Sequence, residues 1–215
     1  MKKFSLNDRI CIFGIGGFGR EVLCCLKDIF DISKKNIKDY VTFMVDDEYY
    51  HEKSIMDIKV IPTSKFNPSN EKVFIAVGDP LKRLLITQKL PKETKYATII
   101  HPSAIVSEWV QIDEGSIVTA GTIITCNIKI GKHAHLNLHT TIGHDCVIGD
   151  FFTTAPGANI SGSCIIGNNV YIGTNASIKN GISICDNVII GMGSVVVKNI
   201  IEPGTYVGIP AKKIK

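Results

Sequence analysis

The sequence predicts an α/β domain over residues 1–100 followed by an all-β domain over residues 101–215, a parallel β-helix built from hexapeptide repeats. Three observations predict this. A glycine-rich turn, Gly14-Ile15-Gly16-Gly17-Phe18-Gly19, joins a short apolar run to a helix-like segment. Further apolar runs end at Asp46-Asp47 and at Gly78-Asp79. From Ile112 to Val196 every sixth residue is aliphatic, with Thr154 as the one exception among fifteen positions.

In chain order, Arg9 to Gly14 reads as a buried strand that runs into the G-x-G-x-x-G turn, and Arg20 to Lys27 reads as the helix behind it. That strand–turn–helix context is the one in which such glycines let a backbone approach a phosphate at a helix N-terminus; a tight turn with no ligand would use the same residues. A second strand, Tyr40 to Val45, ends at Asp46-Asp47, placed either to read a ribose or base or simply to cap a strand in solvent. A third covers Ile58 to Ile61, and a fourth, Lys72 to Val77, ends at Gly78-Asp79 before a helix that carries Arg83. Strand ends of one parallel sheet lie side by side, so Gly14, Ile15, Gly16, Gly17, Asp46, Asp47, Gly78 and Asp79 are expected around one crevice, and Arg83 on the helix that follows is counted with them as a substrate contact. This Rossmann-like domain has the size of one mononucleotide-binding half, which suits a nucleotide-bearing substrate better than a dinucleotide cofactor. The sheet is expected to end at Tyr96 to Ile100, and His101-Pro102-Ser103-Ala104 marks the junction.

A period of six fits neither a helix of 3.6 residues per turn nor a hairpin sheet. It fits a solenoid in which each coil is a triangle and each side one hexad. Residues eighteen apart, such as Ile142, Ile160 and Ile178, then stack in one column inside the prism. Asn168, Asn169, Asn175, Asn180 and Asn187 suit corners that need positive φ. The tail from Glu202 to Lys213 leaves the repeat and is expected to close the prism end.

Composition narrows the function. The net charge of +4 is modest and basic residues are not interleaved with aromatics, so no nucleic-acid partner is expected. The seven cysteines contain no C-x-x-C pair and are read as free thiols of a reducing cytoplasm. The basic start has no apolar run behind it, so it is not a signal peptide, and no run of about 18 apolar residues predicts a membrane span.

Four of the six histidines, His133, His135, His139 and His144, fall close together. A zinc site would need three converging imidazoles, and no histidine follows His144 on any later coil, so no metal is expected. His144 falls two places after the inward Ile142, at a corner or outward position, where an imidazole serves as a general base at neutral pH. Asp145 beside it would orient the ring, although neighbours in a strand point to opposite faces. His133, His135 and His139 are read as solvated or interface side chains. No cysteine nucleophile, and so no acyl-enzyme, is expected.

These features together resemble the PglD/NeuD family of sugar acyltransferases over essentially the whole chain. The carriers are the glycine turn, the Asp46-Asp47 strand tip, Gly143-His144-Asp145-Cys146-Val147-Ile148-Gly149-Asp150-Phe151, the hexad run and the tail Tyr206-Val207-Gly208-Ile209-Pro210-Ala211-Lys212-Lys213. The resemblance implies a left-handed helix, a homotrimer, acetyl-CoA in the groove between prisms, His144 as base with Asp145 assisting, and a nucleotide-linked amino sugar on the first domain. It places acetyl-CoA contacts at Thr153, Gly173, Thr174 and Met192. Thr153 departs from the histidine expected there. Lys212 and Lys213 either meet CoA phosphates or form a frayed basic tail. The activity implied is N-acetylation of a UDP- or dTDP-linked 4-amino-4,6-dideoxyhexose for surface glycan such as O-antigen. O-acetylation of a sialic acid, also performed by this family, and a non-catalytic trimeric scaffold are the alternatives.

Overall fold

The computed structural model of the chain describes Ser5 and residues 7–215. Most of the basic start used in the signal-peptide reading, residues 1–4, lies outside the described residues. The first domain is a sheet of β1 (Arg9–Phe13), β2 (Val41–Val45), β3 (Ser54–Ile55), β4 (Ile58–Pro62), β5 (Glu71–Ile75) and β6 (Lys95–Tyr96). Its order is β3-β4-β2-β1-β5-β6, parallel except for the β3–β4 hairpin. Helices α1 (Gly17–Ile32) and α2 (Pro80–Lys89) follow β1 and β5. α1 buries Val22, Leu23, Cys25, Leu26 and Phe30 at 3–4 spacing, so one face of it seals the sheet. α2 starts on Asp79, whose Oδ1 accepts from the Lys82 N–H at 3.1 Å, with Pro80 in its first turn.

The second domain is a left-handed parallel β-helix whose coils stack with an invariant register of eighteen residues: His135 lies opposite Thr153, and Thr153 opposite Tyr171. Each coil visits three sheets in turn. We call them face one (through Ile117, His135, Thr153, Tyr171 and Ile189), face two (through Ile123, Thr141, Asn159 and Ser177) and face three (through Lys129, Val147, Ile165 and Ser183). All fifteen hexad residues from Ile112 to Val196 are buried. Thr154 is tolerated among them because its hydroxyl meets the Thr140 hydroxyl at 2.7 Å and accepts from the Asn137 N–H at 3.0 Å.

Corners obey the same period. The third residue after each inward one has positive φ, from Asn127 through His133, His139, Asp145, Phe151 and Ser163 to Asn187. Asn169, Asn175 and Asn187 take that position as expected. Asn168 and Asn180 stand one place earlier; the Asn168 carboxamide accepts from the Asp150 N–H at 2.8 Å, and Gly181 takes the positive φ after Asn180. The prism begins sooner than the sequence suggests: Ile99–Ile100, read as the end of the first sheet, pairs with Ile117–Val118 in face one, while Lys95–Tyr96 still pairs with β5. At the far end Ile200 is buried, Gly204–Val207 adds to face one beside Val188–Ile190, and Lys212–Lys213 folds back antiparallel on it. Among the described residues no helix is long and apolar enough to cross a membrane. All seven cysteines are free thiols.

Candidate active site

The two domains meet along face one. Arg83 of α2 is fully buried and forms the seam. Its guanidinium donates to the carbonyls of Val77, Gly78, His133, Phe151 and Phe152 and to the Thr153 hydroxyl, at 2.8–3.3 Å. Burial pulls its pKa down to about 9, which leaves it charged at neutral pH. This corrects two expectations. Arg83 is not a substrate contact, because its N–H groups are directed at carbonyls and a hydroxyl inside the seam. Thr153 is not open to CoA: it is buried, and its hydroxyl also donates to the Gly78 carbonyl at 3.2 Å.

The histidine cluster divides. His133 is stacked on Phe151 at 5.0 Å between ring centres and meets Tyr96 edge-on at 4.5 Å. His135 lies 4.9 Å from Phe18 of α1. Both are buried in the seam rather than solvated, and burial first, the nearby Arg83 charge second, lowers both pKa values, that of His133 to about 4. They are structural, neutral imidazoles. Only His139 and His144 of the four are exposed. Among the described residues no group of His, Cys, Asp and Glu is arranged to hold a metal ion.

His144 stands on the corner between faces two and three, 61% of its side chain exposed. Asp145 follows it at φ +60°, and that left-handed turn removes the alternation that would have pointed the two side chains apart. Asp145 Oδ2 therefore accepts from His144 Nδ1 at 2.7 Å, and its Oδ1 accepts from Asn127 Nδ2 at 2.6 Å. Those two bonds, Asn127 first, hold the Asp145 carboxyl below the usual carboxylate range. An ionised carboxylate has no proton to give, so the proton between this pair is on Nδ1, and in the neutral ring Nε2 is the acceptor. Gly162, one coil on, lies against the ring: a Cβ there would stand 2.7 Å from Cε1 and Nε2. Asn127 and Gly162 were not singled out in the sequence. The signal was available, since each lies one coil from the pair.

At the other end of the chain's chemistry, β2, β1 and β5 are neighbours, so the Gly14 turn, Asp46-Asp47 and Gly78 share one edge of the sheet. Two glycines there serve the fold: Gly14 has φ +106°, and a Cβ on Gly19 would strike the Gly14 carbonyl. Gly16, Gly17 and Gly78 serve no such need, since a Cβ on any of them would meet nothing within 4 Å. Their bareness leaves open backbone at the crevice, Gly16 and Gly17 at the N-terminus of α1 and Gly78 just before α2. Asp47 is partly committed, accepting from the Ser64 N–H and hydroxyl at 3.2 and 2.8 Å, whereas Asp46 faces Lys89 only at 3.9 Å. A cleft of about 510 Å³ runs from Gly78 and Leu81 to Tyr171 and Ile189 on face one. The remaining expected residues lie elsewhere. Gly173, Thr174 and Met192 lie on the corner between faces one and two, with Met192 80% exposed. Lys212 and Lys213 lie on the cap, and Lys213 is paired with Glu202 at 2.9 Å.

A hexad prism that carries an exposed histidine–carboxylate pair on an outer corner defines a hexapeptide-repeat acyltransferase. Residues 9–90 match the PglD N-terminal domain family, and residues 163–198 match the bacterial transferase hexapeptide (six repeats) family. A GDP-perosamine N-acetyltransferase of Escherichia coli O157:H7 is 34% identical over 155 residues, 70% of this chain and 69% of that protein. WeeI from Acinetobacter baumannii AYE superposes with a TM-score of 0.88 at 31% identity, covering 97% of this chain and 100% of that one. The acetyltransferase domain of PglB from Neisseria gonorrhoeae FA1090, solved in complex with acetyl coenzyme A, does so with a TM-score of 0.84 at 26% identity, covering 97% and 100%. The chain belongs to the PglD/NeuD family of sugar acyltransferases.

Proposed function

We propose that the chain transfers the acetyl group of acetyl-CoA to the amine of a nucleotide-linked amino sugar, with His144 as general base. The reading rests above all on the His144–Asp145 pair, whose imidazole is exposed and whose Nδ1 is engaged by the carboxylate. As the neutral amine nitrogen attacks the thioester carbonyl, Nε2 takes a proton from it. The new C–N bond forms, the C–S bond breaks, and the CoA sulfur leaves as a thiolate that recovers the proton. Asp145 stabilises the imidazolium formed on the way. Holding both substrates together supplies much of the acceleration.

The curated relative acts on a GDP-sugar by its name, and we therefore favour GDP over the UDP or dTDP expected from the sequence, with a 4-amino-4,6-dideoxyhexose as the sugar. The open backbone at Gly16, Gly17 and Gly78 suits its diphosphate, with Asp46 nearby for the nucleoside. The same name favours N-acetylation over sialic acid O-acetylation. The donor would lie along face two, reached from Gly173, Thr174 and Met192, with Lys212 free toward its phosphates.

One chain does not complete this site. Its sugar domain is docked on face one, and His144 stands on the corner opposite that face. On this reading a neighbouring chain brings its crevice to His144, as a cyclic homotrimer would three times over. The test is release of CoA thiol from acetyl-CoA with GDP-, UDP- and dTDP-linked amino sugars as acceptors. GDP-perosamine should be the best acceptor, and His144→Ala should lower kcat by about 10²–10⁴-fold with the fold preserved. Full turnover by that variant would end the proposal.

A further inference from the structure

This inference rests on His144 being the base. The geometry points to Asn127 as a positioning residue for the reaction, one that touches neither substrate and acts through the Asp145 carboxylate to hold the His144 ring. Asn127 lies one coil before Asp145, on the same corner, and both residues take the left-handed conformation, at φ +55° and +60°. Stacked coils superpose equivalent positions, so the carboxamide of one falls on the carboxylate of the other. Asn127 Nδ2 donates to Asp145 Oδ1 at 2.6 Å, while Oδ2 is taken by His144 Nδ1 at 2.7 Å.

The chemistry of that position decides what Asn127 does. Asp145 is half exposed. The carboxylate has two anchors, the ring it is meant to orient and the Asn127 amide. Without the amide, rotation of the carboxylate is limited only by the imidazole, and an orienter that turns with the ring orients nothing. The amide also favours the ionised carboxylate, which keeps the proton of the pair on Nδ1 and leaves Nε2 bare. A second aspartate at this corner would place two carboxylates face to face. Elsewhere in the prism the same kind of stack is purely structural: Asn169 donates to Asn187 at 3.1 Å, with no titratable group in the pair.

Two substitutions separate the hydrogen bond from the fold. Asn127→Gly removes the side chain and suits positive φ. Asn127→Asp keeps the shape and the corner conformation, removes the donor and sets a second carboxylate against Asp145. With acetyl-CoA and GDP-perosamine, each should lower kcat about tenfold or more. The KM for either substrate should stay within about twofold, and the melting temperature within a few degrees. His144→Ala is measured alongside. If it abolishes turnover while both Asn127 variants keep the parent kcat, Asn127 has no positioning role. The positioning role also falls if the variants raise KM at unchanged kcat, because the amide would then be a substrate contact. If His144→Ala itself turns over normally, the base assignment has failed, and this inference with it.

Discussion

The floor beneath His144 is a missing side chain. Gly162 has an ordinary backbone conformation, so its turn does not require glycine; its neighbour does, because the imidazole occupies the space a methyl group would take, 2.7 Å from where the Cβ would stand. Gly162→Ala should therefore fold normally and displace the ring, lowering kcat by about 100-fold, as misplacements of about 1 Å do. Steady-state kinetics beside a melting curve would check this, and parent-level turnover would show that the ring has room to spare. At this scale the sequence was half legible. His144 and Asp145 stood out because they are adjacent and flanked by inward hexad residues. Their contact did not, since it depends on Asp145 taking positive φ. Asn127 and Gly162 are seventeen and eighteen residues from His144, and neither forms a local motif with it.

The elements that carry the domain seam were less legible. Arg83 sits in a helix just after Gly78-Asp79, and the sequence offers it as a cation of the crevice, not of a buried seam. Its burial follows from how α2 meets face one, a tertiary fact with no periodic signature. The seam has a measurable consequence. His133 titrates near 6.5 when unfolded and near 4 in the fold, chiefly through burial and then through Arg83. Between those values the unfolded chain binds a proton that the folded chain refuses. Stability is therefore lost as pH falls through 6.5, and the loss is complete below 4, where it reaches about 3 kcal/mol from this one group. Burial lowers the His135 pKa in the same direction and adds to the loss. Melting between pH 7.5 and 5 should fall by several degrees. The drop should be smaller in His133→Asn, which keeps a residue suited to the left-handed corner. A melting temperature that stays flat over this range would contradict the burial of an uncharged imidazole. By contrast the hexads were readable from periodicity alone, because each inward position repeats at a fixed interval, and the first-domain strands and glycine turn from apolar runs and the G-x-G-x-x-G spacing. The boundary at Ile99 was missed because two residues of a first coil contain too little of the period to announce it.

At the scale of the whole molecule, the decisive fact is which corner holds what. Sequence distance gives no sense of it: His144 is only nine residues from His135, yet one faces outward on the corner between faces two and three and the other is sealed beneath the chain's own first domain on face one. If the working site joins two chains, inactive partners should rescue each other. Mixed oligomers of a His144→Ala chain and a chain whose crevice is blocked by Gly16→Trp should regain a measurable fraction of parent turnover, while either variant alone stays near zero. Thiol release before and after subunit exchange would show it. Failure of rescue, with exchange verified by mass, would place crevice and base on the same chain.

The eighteen-residue register has one more consequence. Because every corner, inward column and outward face is defined only relative to the coil beneath it, this half of the molecule has a quantum of length. Losing one residue from the middle would rotate everything downstream, turning aliphatic columns outward and sending Thr174 and Met192 to the wrong edge. Losing eighteen would simply shorten the tower. A lineage that lengthens or trims this prism is thus confined to whole storeys, and adjustments finer than that must come from the side chains at the corners.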